Sequence, residues 1–143
     1  MAVPVVTFHF NVQARVPYLC RLLRKVSGAG LTAWVRLPPD ELAALDQALW
    51  TFSQEDFIAH ALVQDAQAEW SPVLLSSGES PTRQMQVLVN GLPDGLERVD
   101  GFERVVEVVG LDESDRQAAR QRWRDYARAG MSPVSHDASV QGT

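Results

Sequence analysis

Apolar segments of two kinds alternate along the first third of the chain. Residues 3–10 and 31–37 are short and rich in β-branched and aromatic side chains, which predicts strands. Between them, leucines at helical spacing follow Pro17 and end at the glycines of 28–30, which predicts a helix. Pro38 opens a second segment of helical periodicity. This β-α-β-α order predicts an α/β domain with a mostly parallel central sheet flanked by helices, because parallel neighbours need long connections.

Three further strands are predicted in the middle of the chain, where the apolar segments are shorter. These strands are expected over 70–75, 85–89 and 105–109. Pro72 places the first of them at an edge or an end of the sheet, because proline cannot donate to a strand ladder. Residues 57–60 predict a short apolar link, and residues 76–83 predict a loop.

The last helix is predicted between Asp112 and Gly130. Asp112 is a residue type that favours a helix N-cap, and Gly130 suits the position after the last turn. Residues 132–143 contain no repeating apolar position. We therefore expect one α/β domain over 1–131, followed by a flexible C-terminal tail over 132–143.

The composition is that of an ordinary globular domain, with 143 residues, 45% hydrophobic and 22% charged. The longest apolar runs are far shorter than the ~20 residues of a membrane span, and no signal sequence precedes the first strand. Cys20 is the single cysteine, which excludes a disulfide framework. We expect a soluble, cytoplasmic protein without membrane contact.

Sequence motifs for nucleotide binding and catalysis are missing. The turn after the first strand, residues 11–17, has no glycine that would let the backbone approach a phosphate, and no G-x-x-x-x-G-K-S/T motif occurs. No G-x-S-x-G nucleophile motif occurs, and the three histidines have no metal-ligand spacing. The sequence therefore predicts no phosphate-binding loop, catalytic residue, metal site or cofactor. A small enzyme with scattered residues at the carboxyl edge of the sheet remains the alternative.

Positive charge is concentrated in the last predicted helix. The chain carries a net charge of −5, yet residues 116–128 hold five arginines and one acidic residue. Four of the arginines recur at four-residue intervals and share one side of the helix: Arg116, Arg120, Arg124 and Arg128. Trp123 lies beside them. This pattern fits either a solvated charged face or a pocket for an acidic peptide with an aromatic side chain or a free carboxylate. Direct nucleic-acid binding is a third possibility, which the overall negative charge disfavours.

A second candidate surface follows the second helix. Trp50, Phe52 and Phe57 are close in sequence and cannot all face inward from a helix end and the link after it. They indicate either an exposed apolar patch that a partner covers or simple packing of the helix end onto the sheet.

Two segments give the chain a specific resemblance to a known family. The segment LDQALWTFSQEDFIAH at 45–60, and VVEVV at 105–109 followed by ARQRWRDYARAG, resemble the chi subunit of bacterial DNA polymerase III. The resemblance extends from the first strand to Gly130 and so covers nearly the whole chain apart from the tail.

The resemblance implies a non-catalytic accessory subunit of the clamp-loader complex within the DNA polymerase III holoenzyme, a nucleotidyltransferase. Its fold is similar to nucleotide-binding domains without their phosphate loop. Chi subunits hold the acidic C-terminal tail of single-stranded-DNA-binding protein (SSB), which ends in Pro-Phe, so their contact with DNA is indirect. By position, the tail-binding residues of the family fall on Arg116, Arg120, Trp123 and Arg124.

The resemblance also implies a second protein contact. The family surface that binds the psi subunit falls on Trp50 and Phe57. The alternative function is that of an adaptor for a DNA-repair helicase through this same surface. The resemblance implies no cofactor and no metal.

Overall fold

The structure is a computed structural model that describes residues 3–51 and 58–139. Within these ranges the chain forms three α-helices and seven strands. The helices are α1 (Arg15–Gly28), α2 (Pro39–Thr51) and α3 (Glu113–Arg128). The strands are β1 (Val5–Phe10), β2 (Ala33–Arg36), β3 (His60–Leu62), β4 (Val73–Ser76), β5 (Val87–Asn90), β6 (Arg104–Val108) and β7 (Val134–Asp137). A short 3₁₀ helix, Ala66–Glu69, separates β3 from β4.

The seven strands form one sheet in the order β3-β4-β2-β5-β6-β1-β7, and every neighbouring pair is parallel. The connections through α1 and α2 carry the chain across the sheet in one direction, and the connection through α3 carries it back. Right-handed crossovers therefore place α1 and α2 on one face and α3 on the other. The predicted parallel α/β architecture is confirmed.

Two apolar clusters on opposite faces of the sheet hold the helices in place. Because strand side chains alternate between faces, Val35 and Val89 pack with the leucines of α1 and α2, whereas Leu88 and Val105 pack beneath α3. The α3 cluster also contains Phe8 of β1, which becomes part of the site described below.

The boundaries of several elements differ from those predicted. The expected link at 57–60 contributes His60 to β3, and residue 57 lies outside the described residues. Pro72 directly precedes β4, as predicted for a strand end, although β4 lies inside the sheet. Asp112 occupies the N-cap position of α3, but its side chain makes no capping hydrogen bond and accepts one from Ser114 instead (3.3 Å).

The segment after α3 differs most from the expectation. Residues 134–137, which belong to the segment predicted as a flexible C-terminal tail, form the edge strand β7. β7 pairs in parallel with β1 from Thr7 to Phe10. Its burial is slight, and Val134 is 52% exposed. β7 therefore owes its conformation to the free edge of β1, which no apolar pattern in the sequence reveals.

Candidate functional site

An open groove of about 610 Å³ lies beside α3 on its face of the sheet. Side chains from two strands, from the positions directly after β1 and β6, and from one helix meet there: Phe8, Phe10, Asn11, Val109, Arg116, Ala119, Arg120, Trp123, Arg124 and Ser135. The set contains the four residues that the resemblance assigned to peptide binding, so the structure brings them together at one surface.

The floor of the groove is apolar and aromatic. Phe8 is buried in β1, and the ring centroid of Trp123 lies 5.1 Å from that of Phe8 at an interplanar angle of 48°. Phe10 continues the floor along β1, because residues two apart on a strand face the same side. This floor offers an aromatic ligand side chain a tilted ring-to-ring contact.

The arginines that border this floor have different partners. Arg116 is half-buried, and its Nη2 donates to Asn11 Oδ1 at 3.0 Å. Arg120 is exposed, and its Nη1 pairs with Glu113 Oε2 at 3.1 Å. Arg124 is exposed and donates to Gln121 Oε1 at 3.0 Å. Three guanidinium groups thus stand beside an apolar floor, which suits a ligand that combines carboxylates with an apolar side chain.

Glu113 provides a carboxylate of the protein itself that pairs with Arg120. The hydrogen bond and the charge of Arg120 hold the pKa of Glu113 below its usual range, so this carboxylate is ionised at neutral pH. Arg128, the fourth arginine of the sequence pattern, pairs with Asp125 at 3.6 Å and does not line the groove.

Arg122 lies on the same helix but points into the protein. Its Nε donates to Glu107 Oε1 at 2.8 Å, and its Nη1 donates to the Pro93 carbonyl oxygen at 2.6 Å. Glu107 is fully buried in β6, and its Oε2 accepts from the Tyr126 hydroxyl at 2.6 Å. Burial, and then the charge of Glu107, raise the pKa of Tyr126 well above its usual range. These bonds fix the rotation of α3 on the sheet and so decide which arginines face the groove.

The buried network extends across the carboxyl ends of three neighbouring strands. Arg36, Asn90 and Glu107 are in register on β2, β5 and β6. Asn90 donates to Glu107 Oε1 at 2.9 Å and accepts from Arg36 Nη1 at 2.9 Å. Open α/β sheets often bind ligands at this edge. Here the protein's own side chains occupy that position and bond to one another, although the buried Nε of Arg36 has no hydrogen-bond partner.

A second cavity, of about 520 Å³, lies along the other side of α3. Its charged lining has both signs, with Arg98 and Arg122 near Asp100 and Asp125. Arg98 is paired with Asp100 at 3.2 Å. This lining gives no preference for an anionic ligand, in contrast to the groove.

The second surface predicted from the sequence is described only in part. Trp50 is 56% exposed at the end of α2, and its ring lies 4.8 Å from that of His60. His60 is buried, with Nδ1 donating to the Ile58 carbonyl oxygen at 2.8 Å and Nε2 lying 3.0 Å from Asp46 Oδ1. One side of Trp50 is therefore backed by a fixed ring while more than half of the residue is exposed. Phe57 lies outside the described residues.

Comparison with known proteins identifies the family. Residues 3–134 match the family model described as DNA polymerase III chi subunit, HolC. The chain belongs to the DNA polymerase III chi subunit family. The chi subunit of Pseudomonas aeruginosa is 34% identical over 125 residues, or 86% of this chain and 86% of that protein. The Escherichia coli chi subunit is 27% identical over 89 residues, or 62% of this chain and 60% of that protein.

The resemblance stated from the sequence is thereby confirmed, and the chain is a chi-family subunit of DNA polymerase III that serves DNA replication. Among residues 3–51 and 58–139 of this chi-family chain, no group of three His, Cys, Asp or Glu side chains is placed to hold a metal ion. No helix in the same ranges is long and apolar enough to cross a membrane.

Sequence reasoning missed part of the groove. It found the arginines and Trp123 from helical spacing, but not Asn11, Phe8 or Ser135, which come from β1, the turn after it and β7. Asn11 has a φ of +61°, a conformation that asparagine tolerates better than most residues. The turn-prone stretch at 11–15 was visible in the sequence, but nothing in it indicated a contact with residues more than 100 positions away.

Proposed function

We propose that this chain is a non-catalytic accessory subunit of the clamp-loader complex that binds the acidic C-terminal tail of SSB in the α3 groove. It would link the replicase to SSB-coated DNA and contact DNA only indirectly. The observation that carries the proposal is an aromatic floor bordered by Arg116, Arg120 and Arg124 on an otherwise acidic protein. The arginines suit the acidic residues and the terminal carboxylate, and the floor beside Trp123 suits the terminal Phe ring.

The test is fluorescence anisotropy of a short labelled peptide ending in Asp-Ile-Pro-Phe, titrated with the full chain. A second peptide has the same sequence and an amidated C-terminus. We expect saturable binding that is markedly weaker for the amidated peptide, because one Arg-carboxylate contact is lost. No binding by either peptide, with the protein folded by circular dichroism, would contradict the proposal.

A matched pair of charge reversals locates the site. Arg124→Glu changes the groove, whereas Arg21→Glu makes the same change on α1, on the opposite face of the sheet. We expect weaker peptide binding only for Arg124→Glu. An equal effect of both variants would mean that net charge, and not the groove, attracts the peptide.

We further propose that the surface at Trp50 and Phe57 binds the psi subunit. The exposed ring of Trp50, backed by His60, supports this role, because aromatic side chains are frequent energetic anchors of protein interfaces.

Trp50→Ala should weaken psi binding by about tenfold or more in calorimetry and leave SSB-tail binding unchanged. Trp70→Ala is the matched control, since Trp70 is also exposed, at 75%. Equal psi binding by wild type and Trp50→Ala would contradict this assignment. A DNA-repair helicase that loses binding in Trp50→Ala while psi does not would favour the alternative adaptor function.

A further inference from the structure

The strand β7 has no evident role in the core. Val134 and Ser135 are exposed, and β7 contributes no residue to either buried apolar cluster. The match to the family model ends at residue 134, so Ser135 and Asp137 lie beyond it. Ser135 nevertheless lines the groove, and Asp137 accepts a hydrogen bond from Asn11, which also lines it.

Ser135 lines the groove from the edge of the sheet. Ser135 is in register with Phe8, whose buried ring forms part of the floor. In the sheet, β1 lies between β7 and β6. The arginines of α3 border the same floor. The groove is therefore bordered by α3 and by β7, with β1 between them.

Asp137 is connected to Arg116 through Asn11. Asn11 Nδ2 donates to Asp137 Oδ1 at 3.1 Å, and Asn11 Oδ1 accepts from Arg116 Nη2 at 3.0 Å. An ionised carboxylate only accepts hydrogen bonds and a guanidinium only donates them. Asp137 therefore determines which way round the Asn11 amide stands, and the amide oxygen must face Arg116.

Asp137 is itself held in place. Its Oδ1 also accepts from the Ser139 hydroxyl at 2.6 Å and from the Ser139 backbone N–H at 3.0 Å. These bonds, together with the one from Asn11, hold the pKa of Asp137 below its usual range, so the carboxylate remains ionised at neutral pH.

The partner of Arg116 differs in kind from that of Arg120. Arg116 donates to a neutral amide, whereas Arg120 pairs with the charged Glu113. A neutral acceptor orients a guanidinium without cancelling its charge. Arg116 is thus oriented at the rim of the groove by a neutral acceptor, while its charge also acts on the nearby Glu113 carboxylate.

We propose that β7 forms one wall of the ligand groove and that Asn11 and Asp137 are positioning residues that orient Arg116 toward a ligand carboxylate. This inference rests on the proposed function, since the ligand is the acidic SSB tail. It adds residues from β7 and from the turn after β1 to the site on α3.

The positioning role predicts an effect opposite in sign to that of simple charge. Removing the Asp137 carboxylate near an anionic ligand should strengthen binding if only electrostatics matters. If Asp137 orients Arg116 through Asn11, Asp137→Ala should instead weaken SSB-tail binding, by about threefold to tenfold, the range for one ordinary hydrogen bond. Asp112→Ala is the matched control, because Asp112 is an exposed carboxylate at the start of α3 that does not line the groove.

Asn11→Gly tests the central residue of the hydrogen-bonded series Asp137–Asn11–Arg116. It does not strain the backbone, because glycine adopts the positive φ of this position freely. We expect a loss of affinity similar to that of Asp137→Ala. In an Arg116→Gln background the Asn11→Gly change should have no further effect, since the residue that it positions is gone. A loss that persists in that background would overturn the positioning role.

A pair of substitutions on β7 tests the wall. Ser135→Leu places a larger side chain in the groove, whereas Val134→Leu enlarges the neighbouring side chain on the other face of the strand. We expect weaker peptide binding for Ser135→Leu alone. Equal binding by both variants would overturn the placement of β7 in the site.

A measurement without peptide separates this inference from the proposed function. The side-chain NMR signal of Arg116 should indicate an ordered guanidinium in the wild type and an averaged one in Asn11→Gly and Asp137→Ala. If the wild type binds the peptide but the Arg116 signal and the affinity are the same in these variants, the positioning role is overturned and the proposed function stands. If the wild type does not bind the peptide, both fail.

Discussion

Arg120 and Arg122 lie two positions apart on α3 and occupy opposite environments. The side chain of Arg122 is 8% exposed and bonded to the buried Glu107, whereas that of Arg120 is 57% exposed at the groove. Two residues turn a helix by about 200°, so neighbouring arginines of one basic segment face opposite sides. The basic segment therefore has two parts: one arginine anchors the helix, and others line the groove.

The anchor depends on a desolvated charge pair, and the groove depends on solvated charges. A buried ion pair contributes little net stability over an apolar replacement, but removal of one partner leaves the other charge buried and unpaired. A solvated arginine can be replaced at little cost to folding. Variants at the two positions should therefore separate stability from binding.

The largest effect is expected for Arg122→Leu, which leaves the Glu107 carboxylate without its cation. The free energy of unfolding should fall by about 3–5 kcal/mol. Urea denaturation followed by circular dichroism measures this change. A second substitution, Glu107→Gln, should recover part of the loss, because the amide keeps a hydrogen-bonding oxygen without a charge. If Glu107→Gln does not reduce the loss of stability, the unpaired Glu107 carboxylate is not its cause.

Arg120→Glu should have the converse effect. We expect the affinity for the SSB-tail peptide to fall by about tenfold or more, since an attraction becomes a repulsion. The free energy of unfolding should change by no more than about 0.5 kcal/mol, as is usual for an exposed position. Anisotropy and urea denaturation measure the two quantities on the same sample. Unchanged affinity would remove Arg120 from the site.

Salt should distinguish the two kinds of arginine without any mutation. Exposed charges are screened by salt, whereas buried pairs are screened much less. Raising the NaCl concentration should weaken peptide binding several-fold, with little change in the stability that Glu107 and Arg122 provide. Peptide affinity that does not depend on salt would indicate that the apolar floor alone carries the binding.

The smallest effect is expected for Glu113→Gln, which removes the internal carboxylate that pairs with Arg120. An acidic ligand no longer has to displace this carboxylate, so peptide affinity should rise by about twofold to fivefold, the range for one exposed ion pair. Asp100→Asn is the matched control, because Asp100 pairs with Arg98 and neither residue lines the groove. Weaker binding by Glu113→Gln would mean that Glu113 helps to hold Arg120 in place.

Local patterns in the sequence were sufficient for the main helices and strands and for the arginines with Trp123. These features repeat within a few residues, so hydrophobic periodicity and charge spacing reveal them directly. The apolar strand 105–109 was also predicted, and β6 lies there. Its single charged residue, Glu107, was a local signal of a buried polar network, because a charge inside an apolar strand needs a partner.

Contacts between distant parts of the chain could not be read in the same way. Asn11 and Arg116 are 105 positions apart, and Asn11 and Asp137 are 126 apart, yet they form one hydrogen-bonded series. β7 was missed because its sequence has little apolar character and its backbone is stabilised by pairing with β1.

The sequence by itself determined the parallel α/β class, the position of the last helix and the side of it that carries Arg116, Arg120 and Arg124. Short-range periodicity encodes all of these. Only the tertiary structure decided that Arg122 is the anchor, that Phe8 forms the floor and that Asn11 and β7 complete the groove. The physical reason is that strand order and the rotation of α3 on the sheet depend on long-range packing and hydrogen bonds, which no local pattern specifies.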